Sequence, residues 1–292
     1  MRRRATNFLP SFLTDLFAAT IAILGFGVLL ISASSASAQN ACPPTINSCG
    51  CAITAPGSYK IGLNINESQG LTPSGSCIEI ASSFIILDAG KKSITGAGGN
   101  SPTGVGIWVR RGVHTSFLEG RGSLVSGWDV GLLVDGSNLV VDNFAANLNG
   151  TAGVKLSKAQ FIELSNITAS SNVNYGIWLQ QSPSNRVTNS KTQTNGNIGI
   201  YAGCSNLGPI SAGCSGVGPS PLNYIFTGNI GGNANYGVAL DIGAKSTIVT
   251  NQTLGGGAHA SKNDLFDANS NCGSNKWFAD DSTATVSQTC IK

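Results

Sequence analysis

The sequence predicts an all-β chain wound into a parallel β-helix of about eight coils. Three observations carry this. The first is a short pattern, Gly, apolar, any residue, apolar, which recurs as Gly131-Leu132-Leu133-Val134, Gly153-Val154-Lys155-Leu156, Gly176-Ile177-Trp178-Leu179, Gly199-Ile200-Tyr201-Ala202 and Gly237-Val238-Ala239-Leu240. Its glycines are spaced 22, 23, 23 and 38 residues apart. The second is a set of asparagines in step with it. Asn149, Asn172, Asn195 and Asn233 stand four residues before Gly153, Gly176, Gly199 and Gly237, and Asn143, Asn166 and Asn189 stand ten before the first three. The third is that the apolar runs are short and poor in helix formers, so a period in the twenties is one coil of a solenoid and not a helix pair. A leucine-rich repeat would want a denser leucine skeleton.

Each asparagine column then has a physical role. Identical amides stacked coil on coil can hydrogen-bond along the stack, and asparagine tolerates the left-handed backbone of a tight corner.

The chain opens with Arg2, Arg3 and Arg4, an apolar run from about Leu16 to Ile31, and Ala36-Ser37-Ala38. These are the three parts of a signal peptide over residues 1–38. The arginines leave Sec and twin-arginine export both open. No other stretch is apolar enough to span a membrane, and a secreted or periplasmic protein is expected. Cleavage would remove three arginines and Asp15, lowering the formal charge from +3 to +1. Such a chain lacks the basic footprint that nucleic acid requires.

The remainder, residues 39–292, reads as one domain and is expected to be a monomer. Residues 39–60 are rich in Cys and Pro and form an N-terminal cap; residues 61–262 hold the coils; residues 263–292 form a closing cap, with Trp277 and Phe278 over the last coil. Earlier copies of the pattern are Cys77-Ile78-Glu79-Ile80 and Gly106-Ile107-Trp108-Val109. The long interval before Gly237 holds an insertion near 203–223, rich in Gly and Pro.

All eight cysteines follow the export signal, and an even count there implies disulfides. Clustering pairs Cys204 with Cys214 and Cys272 with Cys290. Cys42, Cys49, Cys51 and Cys77 allow three connectivities. One residue between Cys49 and Cys51, with no histidine nearby, argues against zinc, and no metal ligands are assigned.

These coils, the in-step asparagines and the ending Asn271-Cys272-Gly273 with Trp277 resemble secreted bacterial right-handed parallel β-helix proteins with pectate-lyase-like or NosD-like repeats. The resemblance covers roughly residues 75–292. It implies a right-handed coil and a polysaccharide partner, with polysaccharide lyases, pectin-active hydrolases, alginate epimerases and binding proteins among its members. Calcium enters only by analogy with pectate lyases, and no pair of aspartates on adjacent coils of the Gly-apolar strands supports it. The histidine contexts of pectin hydrolases and the Asp-Pro-His-Glu run of alginate epimerases are absent.

Side chains alternate along a strand, so the residue between the two aliphatics of each copy points outward. The outward column reads Glu79, Trp108, Leu133, Lys155, Trp178, Tyr201 and Ala239. Two positions on, a second reads Ala81, Arg110, Asp135, Ser157, Gln180, Gly203 and Asp241. Trp108, Trp178 and Tyr201 offer stacking surfaces for sugar rings, with Gln180 beside them. Arg110 and Lys155 are the candidate carboxylate clamp or base for proton abstraction beside a uronate, with Asp135 as their acidic neighbour. Alternatively, Arg110 and Asp135 form a plain surface ion pair. Asp280-Asp281 is an adjacent acidic pair, and His114 lies among Arg110, Arg111, Glu119 and Arg121. Two functions follow: a secreted lyase or epimerase on an acidic glycan, or a non-catalytic glycan-binding or cell-surface protein.

Overall fold

The computed structural model describes residues 40–98, 102–203, 220–254, 263–278 and 286–291. These residues form two parallel sheets wrapped round one core, as the repeat predicts. The smaller sheet takes one strand from each coil: Cys51–Ile53, Ser76–Ile80, Val105–Val109, Val130–Val134, Ala152–Ser157, Tyr175–Gln180, Ile198–Ala202, Tyr236–Leu240 and Asn263–Asp267. The larger sheet runs through Thr45–Ile46, Gly57–Ile61, Ile85–Asp88, His114–Ser126, Ser137–Ala146, Gln160–Ser165, Arg186–Gln193, Tyr224–Gly231, Ile248–Leu254 and Lys276–Phe278. Every pairing between these strands is parallel, as a chain that climbs one coil per repeat requires. Among the described residues the helical elements are two 3₁₀ turns, Glu67–Gln69 and Ser270–Cys272.

The core is built by the aliphatics of the pattern. Ile107 and Val109, Leu132 and Val134, Val154 and Leu156, Ile177 and Leu179 point inward and are buried. They meet Leu118, Leu139, Val141, Ile162, Leu164 and Val187 of the larger sheet.

The asparagine ladder forms in the interior. Asn149 Nδ2 donates to Asn172 Oδ1 at 3.2 Å, Asn172 Nδ2 to Asn195 Oδ1 at 3.0 Å and Asn195 Nδ2 to Asn233 Oδ1 at 2.9 Å. Each of these oxygens also accepts the backbone N–H of the asparagine one coil before, at 2.9–3.0 Å. The ladder explains the glycine of the repeat. A Cβ on Gly176 would stand 2.8 Å from Asn195 Nδ2 and 2.6 Å from the Gly199 carbonyl oxygen, and one on Gly153 would stand 2.8 Å from Asn172 Nδ2. Glycine and asparagine travel together because each glycine abuts the amide of the next coil.

The outer asparagines occupy corners. Asn143, Asn166 and Asn189 have φ of 58°, 54° and 46°, a left-handed region that asparagine enters more readily than most residues. Asn189 Nδ2 donates to Asn166 Oδ1 at 2.5 Å, and Asn166 Nδ2 to Asp142 Oδ1 at 2.7 Å.

At the N-terminal end, Cys42 bonds Cys51 and Cys49 bonds Cys77, which selects one of the three open connectivities. Cys272 bonds Cys290 at the other end. Cys204 and Cys214 lie outside the described residues, as do Asp280, Asp281, most of the 203–223 insertion and the export signal. Trp277 is buried, and its Nε1 donates to Asp267 Oδ2 at 2.9 Å. Phe278 corrects the expectation that both rings close the last coil. Strand alternation turns it outward, and it is 55% exposed.

Candidate functional site

The first outward column is a true column. Glu79 pairs in register with Trp108, Trp108 with Leu133, Leu133 with Lys155, Lys155 with Trp178, Trp178 with Tyr201, and Tyr201 with Ala239. Its exposure differs from the expectation. Trp178 and Tyr201 are fully buried, so they are not open platforms for sugar rings. They belong to a second apolar cluster outside the barrel, with Tyr175, Ile198, Tyr236 and Ala239. Tyr175 joins from the position before Gly176, in register with Ala152 and Ile198 of the flanking coils. Tyr175 and Tyr201 stack at 5.3 Å between centroids. The polar edges are satisfied as buried rings require: Trp178 Nε1 donates to the Gly203 carbonyl at 3.1 Å and Tyr201 Oη to Asp241 Oδ2 at 2.9 Å.

Toward the N-terminus the column opens. Trp108 is half-buried, and its Nε1 donates to Asp135 Oδ2 at 2.8 Å. Arg110 is 42% exposed and pairs with the fully buried carboxylate of Glu79, one coil back, so its ion pair is with Glu79 and Asp135 instead serves Trp108. The Arg110 guanidinium lies 5.8 Å from the Trp108 ring centroid. Lys155 is half-buried with Nζ 4.1 Å from the Trp178 ring centroid, a cation–π contact. Burial pushes the Lys155 amine below the usual lysine range, and the nearby Asp129 and Asp135 carboxylates partly offset this. Gln180 is half-buried at the end of its strand, two residues past Trp178.

The fold thus brings Trp108, Arg110, Asp135 and Lys155 onto neighbouring coils and places Trp178, Tyr201 and Gln180 further along. It adds Ser137, Lys158 and Gln160, which pattern reading missed, beside Asp135 and Arg111. Arg111, Asp135, Ser137, Lys158 and Gln160 line a shallow cavity of about 340 Å³ where the chain leaves the smaller sheet. Arg111 and Lys158 are exposed. Each is the first or second residue beyond an outward-column position, the one signal that could have found them. His114 packs edge-on against Phe84, with centroids 5.5 Å apart.

A family model described as periplasmic copper-binding protein (NosD) matches residues 45–210. No curated protein sequence matches the chain. Among solved structures, full-length tailspike protein 2 from Escherichia coli O157:H7 bacteriophage CAB120 aligns with a TM-score of 0.42 and 13% identity over 76% of this chain and 37% of its own. Pectate lyase Pel9A aligns with a TM-score of 0.41 and 16% identity over 84% of this chain and 70% of its own. The Dettilon tailspike protein gives 0.39 and 14% over 81% and 56%. The chain therefore spans well under half of the full-length tailspike it matches.

The copper description can be tested against the donors present. Protein copper sites are built from imidazole, thiolate and thioether. This sequence has two histidines, and Met1 is its single methionine. Six of its eight cysteines are held in disulfides. Among the described residues no three His, Cys, Asp or Glu side chains stand close enough to hold an ion. The described residues do not fit a copper centre, and no chemistry through copper is derived. The family match itself spans more than half of the chain: the protein belongs to the NosD family.

Proposed function

We propose that the protein binds an acidic glycan along the outer face of the smaller sheet. The observation that carries this is the convergence of exposed Arg111 and Lys158, two coils apart, on the cavity they line, with Lys155 on the same coil as Lys158. Guanidinium groups take a carboxylate in a two-point geometry, and ammonium groups add charge without that constraint. Ser137 and Gln160 supply hydroxyl and amide partners for sugar hydroxyls. Asp135 and Trp108 hold each other and set the wall of the site. Trp178 and Tyr201 act beneath it, as the apolar floor that supports Lys155. The disulfides suit an oxidising compartment, and the family description is periplasmic.

The Lys155 environment favours a second reading, a lyase or epimerase. A lysine with a lowered pKa has a larger neutral fraction and serves better as a base. Its amine would take the proton on the carbon next to the uronate carboxylate. In elimination those C–H electrons form the carbon–carbon double bond, and the glycosidic oxygen leaves with its bonding pair and a proton. In epimerisation a proton returns from the opposite face.

The test is retention of the mature protein on polygalacturonate and alginate at low and high salt, with product absorbance followed in parallel. Binding that weakens with salt, and falls about tenfold or more in Arg111→Ala/Lys158→Ala, is expected. A wild-type protein that ignores both polymers at low salt refutes the reading. Unsaturated ends that vanish in Lys155→Ala would establish the catalytic version.

A further inference from the structure

We infer that the outer face of the larger sheet is a second glycan-binding surface, one that takes a neutral oligosaccharide lying along the stack. Registers define two outward columns there. One reads Ser58, Ile86, Phe117, Val140, Glu163, Arg186 and Tyr224; the other reads Lys60, Asp88, Glu119, Asp142, Ser165, Thr188 and Phe226. An apolar run, Ile86, Phe117 and Val140, therefore lies beside the charged run Lys60, Asp88, Glu119 and Asp142, at the coil spacing of about 4.8 Å, and aromatics return in both columns at Tyr224 and Phe226.

Toward the N-terminus the two columns flank a groove of about 440 Å³ lined by Tyr59, Lys60, Ile86, Asp88, Phe117, Glu119 and Arg121, among others. Its apolar floor is open: Ile86 is 50% exposed and Phe117 36%. Its polar wall is fixed in place. Glu119 Oε1 accepts the Arg121 backbone N–H at 2.9 Å, and the Arg121 guanidinium lies 3.3 Å from Asp88 Oδ2. The Tyr59 ring is held by its hydroxyl, which donates to the Ala55 carbonyl at 2.9 Å.

A second platform lies four coils from Phe117, about 19 Å along the stack. Tyr224 and Phe226 stack there with centroids 5.8 Å apart and planes 3° from parallel, and the Arg186 guanidinium sits 5.4 Å over Phe226. Tyr224 is 41% exposed.

The occupant follows from this chemistry. Lys60 and Arg121 balance Asp88 and Glu119, so the groove offers donors and acceptors without net charge to draw an ionic ligand. Rings are interleaved with polar groups and do not merge into the contiguous apolar patch that a protein or lipid partner would cover. A sugar ring presents an apolar face for stacking and a rim of hydroxyls for the carboxylates and cations. Two platforms on one straight face select a chain of several sugars. The groove shares no lining residue with the cationic cavity, which sits at the corner between the two sheets, and the inference stands whether or not that cavity binds an acidic glycan.

The experiment uses the mature protein with soluble neutral probes, a β-glucan, a mannan and a galactan, in affinity electrophoresis and calorimetry. Variants are Phe117→Ala and Tyr224→Ala, both at exposed positions, with Arg111→Ala/Lys158→Ala as the control for the other face. Retention by at least one neutral polymer is expected, about tenfold weaker in each ring variant and unchanged in the control. Binding that survives the double variant Phe117→Ala/Tyr224→Ala overturns the inference, and so does indifference of the wild type to all three polymers. Loss in the control alone would move the neutral ligand to the cationic face and also overturn it. Polyuronate retention, read on the same variants, reports separately on that face.

Discussion

Replacing Asn172 by Ala tests how the coils are held in register. Asn172 is 1% exposed and sits inside the amide ladder. Its Oδ1 accepts the Asn149 backbone N–H at 2.9 Å and Asn149 Nδ2 at 3.2 Å, and its Nδ2 donates to Asn195 Oδ1 at 3.0 Å. After truncation Asn149 Nδ2 keeps the Val125 carbonyl at 3.1 Å, and Asn195 Oδ1 keeps the Asn172 backbone N–H at 3.0 Å. The Asn149 N–H has no such substitute. A buried donor without an acceptor costs about 1–3 kcal/mol, and each lost net bond about 1 kcal/mol more. With the Asn149 Nδ2 and Asn195 Oδ1 bonds also lost, we expect a total of about 3–5 kcal/mol. The matched control is Asn166→Gly. Asn166 is exposed at φ 54°, glycine keeps that conformation without strain, and water replaces the ladder bonds, so the change should stay within about 0.5 kcal/mol. Urea unfolding followed by tryptophan fluorescence compares the two, with slopes checked because a stacked repeat can unfold in parts. Equal midpoint shifts for both variants would refute the claim that the interior ladder carries the register.

Two further outcomes follow. Lys155→Met should raise stability near neutral pH, because it removes an amine whose charged form burial penalises more than the nearby carboxylates and the Trp178 ring repay. The sign follows from a folded pKa below the unfolded one: the unfolded chain binds more protons between the two values. Wild-type stability should therefore gain from this group as pH rises through the folded pKa toward 10.5, and the variant should lose that gain. Thermal melts across alkaline pH that run parallel for the two proteins would contradict it. Cys272→Ser/Cys290→Ser opens an 18-residue separation, which chain entropy values at about 3 kcal/mol. Proteolysis should begin at the C-terminal cap in the variant; cleavage that starts at the N-terminal end in both proteins would show that this bond does not hold the cap.

Most of the smaller sheet was legible before the structure. The interval between glycines fixes which residues stack, so the column from Glu79 to Ala239 could be read off in register. The asparagine corners were legible for a similar reason, since few residue types enter the left-handed region. The outer face of the larger sheet was not. Its strands run from two to thirteen residues, Thr45–Ile46 to His114–Ser126, and carry no glycine marker, so Phe117 and Asp88 could not be placed beside Tyr59 from spacing alone. Arg110 illustrates a nearer miss. It was on the correct face, but its partner is the carboxylate one coil back, because Asp135 is engaged by Trp108.

The sequence by itself determined that this protein is a stacked coil, which residues share a column, and that disulfides close its N-terminal end. These are local and repetitive properties, written in every copy of the pattern. Only the tertiary structure decided which outward residues meet solvent. Trp178 and Tyr201 stand in the same column as Trp108, yet they are buried in an apolar cluster outside the barrel while Trp108 stays half open. Strand alternation says which way a side chain points, but exposure depends on what else packs against that face, and no single repeat encodes that.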